Sequence, residues 1–188
     1  MTTRSSKTAR AVAVAALAVL VGCASGPEIT RALGTSTREA RLALELAHER
    51  GPVRGRVVGP ATAPAGRDVE GRVLDVMGEA VRALSVRFTP DAPEPTPVLV
   101  VSHGLAAGAD PCRADPPLTG DPLRVTAAFC DETGAIGVVS ASLQSPSDDA
   151  RTSLYRRLAR ELFPDLYAER YGFGRPPFNV YLGATFGL

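Results

Sequence analysis

The sequence predicts an α+β domain: a small, largely antiparallel sheet of about four strands, with helices packed on one face. Three observations carry this. Three segments repeat apolar residues at helical spacing. Four others alternate apolar and polar residues or run continuously apolar, as strands do. Between two of those, Asp131-Glu132-Thr133-Gly134 reads as a hairpin turn with glycine where the chain must reverse.

The elements follow in order. Ser36-Thr37-Arg38-Glu39 fits a capping box, in which the serine oxygen and the glutamate carboxylate satisfy each other's orphan amides. Leu42, Ala43, Leu46 and Ala47 then recur at helical spacing until Gly51-Pro52, giving a helix over 37–50. Residues 51–67 hold a cluster of Gly and Pro and read as loop, with room for a brief edge strand at Val53–Val58. Val73, Val76, Met77, Ala80, Val81 and Leu84 mark a second helix from Asp68 onward. Its interior Gly71 and Gly78 each cost about 1 kcal/mol relative to Ala.

Leu84, Val86 and Phe88 alternate with polar neighbours as a half-buried strand, and the proline-rich 89–97 cannot continue as helix. Val-Leu-Val-Val-Ser-His-Gly-Leu at 98–105 has the composition of a strand covered on both faces. Segments 123–130 and 135–143 are the hairpin strands. Ser147, with Asp148 and Asp149, opens a third helix whose positive end favours those acids. Leu154, Leu158 and Leu162 form its buried stripe, and Pro164 ends it. The domain is thus expected over 36–163, followed by a tail, 164–188, with six of the ten aromatics. No repeat at a period of 20–50 residues is visible.

Composition bounds what such a chain does. It has 188 residues, room for one ordinary domain, with 45% hydrophobic residues and a net charge of +1. That excludes a disordered polyelectrolyte and a many-span membrane protein. Balanced charge leaves no field strong enough to make nucleic acid the expected partner.

The N-terminus specifies an address. Arg4, Lys7 and Arg10 form a positive region free of acids, and residues 11–21 are an unbroken apolar run of 11. Crossing about 30 Å of hydrocarbon takes about 20 apolar residues, so this run is too short to span; it has the length of a signal-peptide core. Leu20-Val21-Gly22-Cys23 follows and resembles the lipobox of bacterial lipoproteins. The resemblance covers residues 1–23. It implies removal of a signal peptide, 1–22, acylation of Cys23, and a short tether over 23–35. Ala24 and Ser25, in place of Asp after the cysteine, imply the outer membrane of a Gram-negative host, with the domain facing the periplasm. A plain secretory signal, with Ala24-Ser25 near its cleavage site, is the alternative. Three acyl chains at about 0.8 kcal/mol per buried methylene hold a protein on a membrane without any span.

With Cys23 taken by lipid, Cys112 and Cys130 remain as an even pair in an oxidising compartment. Seventeen residues rich in Pro, Gly and Asp separate them, and a disulfide closing such a loop contributes about 3 kcal/mol. A metal site would need His48 or His103 at finger-like spacing from a C-x-x-C, and neither stands so. Redox catalysis wants the cysteines close in sequence. No metal and no cofactor is expected.

Candidate chemistry is sparse. Residues 97–108, PVLVVSHGLAAG, resemble the strand and His-Gly oxyanion loop of α/β-hydrolases, which makes a small hydrolase using His103 the alternative reading. The resemblance stops there: the chain has no G-x-S-x-G, and His103 is its last histidine. Arg151, Arg156, Arg157 and Arg160 place positive charge on the outer side of the third helix, as a solvated face or as a contact for anionic envelope groups. The tail aromatics Tyr167, Tyr171, Phe173, Phe178, Tyr181 and Phe186 are core packing or a contact surface for an envelope partner. The expected protein is a lipid-anchored, non-catalytic binding or assembly module of the envelope.

Overall fold

The computed structural model describes residues 28–59, 69–93, 97–119, 121–143 and 147–166. Cys23 and the tail aromatics from Tyr167 to Phe186 lie outside them. The elements run β1 (Ile29–Arg31), α1 (Thr37–His48), β2 (Val53–Val58), α2 (Val69–Ala80), β3 (Phe88–Thr89), β4 (Val98–His103), β5 (Arg124–Asp131), β6 (Gly134–Ser142) and α3 (Asp148–Leu162). Among the described residues they build one six-stranded sheet in the order β1-β6-β5-β4-β2-β3.

The α+β class holds, and the sheet is larger and less regular than expected. β1, β6, β5 and β4 are antiparallel, but β2 runs parallel to both β4 and β3, so the sheet is mixed. Parallel neighbours need a crossover, and α2 between β2 and β4 supplies it. The Gly- and Pro-rich surroundings of Val53–Val58 hid this. β2 sits between β4 and β3 instead of forming an edge. β1 falls inside the expected tether, because three residues, Ile-Thr-Arg, are too few to show a period. Conversely, the strand expected around Leu84–Phe88 shrinks to Phe88–Thr89: Ala83 takes φ 60°, a left-handed turn, and ladder pairing with β2 reaches only Phe88 and Thr89.

Two helices, α1 and α3, begin at their serine caps, but the capping box is only half formed, since the Ser36 amide donates to the Ile136 carbonyl at 2.8 Å and not to Glu39. The Ser36 hydroxyl accepts from the Glu39 amide at 3.2 Å and Ser147 from Ala150 at 3.3 Å. The hairpin turn closes through Asp131, whose Oδ1 accepts from the Thr133 amide at 2.8 Å and its hydroxyl at 2.7 Å.

Strand alternation sorts the side chains into two layers. Leu99, Val101, Val125, Ala127, Phe129, Val139 and Ala141 face the helices and join Leu44, Leu74, Met77, Leu154, Leu158 and Leu162 in the main core. Phe163 closes the end of α3, 5.1 Å from Phe129 and 6.1 Å from Phe88 between ring centres. Val100, Ala128, Cys130 and Val138 face the other way and form a second, smaller cluster against Cys112. No helix among the described residues is long and apolar enough to cross a membrane.

Candidate functional site

Among the described residues, the sheet face away from the helices carries a row of polar side chains beside an apolar patch. Its apolar end is covered by the loop between β4 and β5. Cys112 and Cys130 are disulfide-bonded, with Cα atoms 5.7 Å apart, as the pairing argument expected. Arg56 of β2 reaches the same loop, donating to the carbonyls of Ala114 at 2.8 Å, Cys112 at 3.2 Å, and Arg113. Desolvation, then the charge of Arg54, lowers the Arg56 pKa from its usual value. Leu105 bridges Leu118, and the Thr119 amide donates to the Gly104 carbonyl, which shuts the loop's base.

The other end of that face is polar. Strand register aligns Thr30 with Ser140, Ser140 with Thr126, and Thr126 with Ser102, one hydroxyl row across four strands. Thr126 and Ser140 share a 2.8 Å hydrogen bond, and the buried Ser102 hydroxyl has no hydrogen-bond partner. An open cleft of about 500 Å³ lies at the outer end of the row, with Thr30, Ser140 and Ser142 beside Ala32 and Ala141 as its floor and Glu28, Asp121 and Arg124 as charged walls. The Asp121 carboxylate accepts from the Leu123 amide at 3.0 Å, which anchors that wall. This arrangement suits a small polar ligand: hydroxyls both donate and accept, one guanidinium faces anions, and two carboxylates face cations.

His103 lies elsewhere. It ends β4 on the helix side, 2% exposed. Its Nε2 is 3.3 Å from the Tyr155 hydroxyl, and the rings meet edge-on at 5.9 Å. Burial lowers the histidine's pKa, with Arg151 adding to the effect and the Pro122 carbonyl opposing it. Burial pushes the Tyr155 hydroxyl up to about 12. Gly104 behind it has φ +72°, and a Cβ there would stand 2.9 Å from the Asp121 carbonyl oxygen. The oxyanion-loop resemblance is therefore a close-packed turn in this chain. Ser102, the neighbouring hydroxyl, points to the opposite face.

Of the expected contact residues, Arg156, Arg157 and Arg160 are exposed on α3. Arg151 is mostly buried beside Asp148 at 3.8 Å. Among the described residues no group of three or more His, Cys, Asp or Glu side chains could hold a metal ion. Sequence reasoning did not find the cleft. Its available signal was the polar residues at alternate positions of otherwise apolar strands: Thr126 in one, Ser140 and Ser142 in the next.

No protein-family model and no curated protein matches the chain. Among solved structures, it is similar to a PelC variant from Paraburkholderia phytofirmans, a dodecamer, at 18% identity and a TM-score of 0.38, over 73% of this chain and 97% of that one. At that score the likeness bears no argument about function.

Proposed function

We propose that this chain is a lipid-anchored protein of the cell envelope whose α+β domain works by binding, not catalysis. The observation that carries the reading is the Cys112–Cys130 disulfide, because such a bond persists in oxidising compartments and is rare where thiols are kept reduced. It agrees with the lipobox-like Leu20-Val21-Gly22-Cys23, which supports acylation of Cys23, while Ala24 and Ser25 after it favour an outer membrane with the domain facing the periplasm. The hydrolase alternative fits less well, since His103 is inside the core and a general base must reach its substrate.

Mass spectrometry of the N-terminal peptide tests the address. The expected result is a chain starting at Cys23 and carrying acyl groups, with the protein in the membrane fraction and Cys23→Ser releasing it from that anchor. An unacylated start, or recovery from cytosol with free thiols at 112 and 130, overturns the proposal.

The exposed Arg156, Arg157 and Arg160 favour docking on an envelope partner, with the tail as the docking segment. Cross-linking in membranes followed by pull-down, full length against a truncation at Pro164, decides this. Recovery of the same partners by both forms removes the tail from the account.

A further inference from the structure

We propose that the cleft beside the hydroxyl row, on the sheet face away from α1, α2 and α3, binds a zwitterionic aminophosphate head group, that of phosphatidylethanolamine, supplied by the membrane in which Cys23 is anchored. The inference rests on the lipid-anchored reading above and adds the ligand.

Position argues first. Glu28 forms one wall of the cleft and stands five residues after Cys23 in the sequence. Five residues span at most about 18 Å even when fully extended. The head-group layer of a bilayer is about 5–7 Å deep on each side of the hydrocarbon. A chain acylated at Cys23 therefore keeps Glu28 within about 18 Å of the anchor, within reach of a surface where head groups are the most concentrated small polar molecules available.

Charge argues second. Arg124 is exposed on one side, with no ion pair to Glu28 or Asp121, and suits a phosphate through charge-assisted hydrogen bonds. Glu28 and Asp121 suit an ammonium. A purely anionic head group would meet two carboxylates against one guanidinium and be repelled, while an aminophosphate matches both signs. Thr30, Ser140 and Ser142 supply hydroxyls that accept from the ammonium and donate to phosphate oxygens.

The test has two arms. In the first, the chain from residue 23 carrying Cys23→Ser is titrated with glycerophosphoethanolamine, glycerophosphoglycerol and glycerophosphate while backbone amide resonances are followed. The expected result is saturable shifts at Thr30, Ser140 and Ser142, with the ethanolamine compound binding about tenfold more tightly than the other two. Arg124→Gln should weaken all three, and Glu28→Gln only the ethanolamine compound; both side chains are exposed, so folding is retained. Equal affinity for the three, or shifts elsewhere, overturns the ligand assignment.

In the second arm, the acylated protein is placed in lipid discs of phosphatidylcholine containing either phosphatidylethanolamine or phosphatidylglycerol. The same three amides should shift only with phosphatidylethanolamine. Binding in solution without this response in discs overturns the membrane as the source. Failure of the anchored reading shows separately, as an N-terminal peptide without acyl groups.

Discussion

Arg41 and His103 are two polar groups taken fully inside, and each makes a distinct prediction. Arg41 is 1% exposed; it donates to Glu45 at 2.7 Å and to the Arg82 carbonyl at 2.8 Å, tying α1 to the turn after α2. Arg41→Met keeps the packing stem but leaves that carbonyl and carboxylate unpaired, so chemical denaturation should show a loss of about 2–3 kcal/mol. His103 is held neutral by burial, its pKa below 6.5, with Arg151 and Tyr155 as its titratable neighbours. The unfolded chain thus binds the proton more readily than the folded one. The contribution of the neutral ring is complete above about pH 6.5 and is lost as pH falls from there through the folded value. Thermal melts between pH 8 and pH 5 should show a steeper fall in the native chain than in His103→Gln. Parallel curves would exclude His103 as the cause.

The helix α2 shows how an element can run against local propensity. Gly78 looks like a weakness in the sequence, since alanine favours a helix interior by about 1 kcal/mol. In the fold, a Cβ at that position would stand 2.5 Å from the carbonyl oxygen of Val86, which is backbone and has little room to move. Gly78→Ala should therefore lower the melting temperature despite the better helix former. The helices, the hairpin and β4 were legible because each carries a period, a cap or a turn residue of its own. β1 and β3 were not, because two or three residues have no period and become strands only through a neighbour's hydrogen bonds.

For the molecule as a whole, the disulfide and Arg56 hold the loop between β4 and β5 against the sheet face away from α1, α2 and α3. Replacing Cys112 and Cys130 together by serine should cost about 3 kcal/mol and lower the melting temperature without changing the helical content seen by circular dichroism. Loss of helix as well would mean that the loop supports the main core, not only the second cluster. Class, helix positions and cysteine pairing are written in residues close together or in simple arithmetic along the sequence, which is why reading the chain sufficed for them as expectations. The parallel placement of β2, the burial of His103 and the alignment of Thr30, Ser140, Thr126 and Ser102 are different. Each depends on which strand lies beside which and in what register. That choice is settled by packing between segments as far apart in sequence as Thr30 and Ser140, and no local pattern records it.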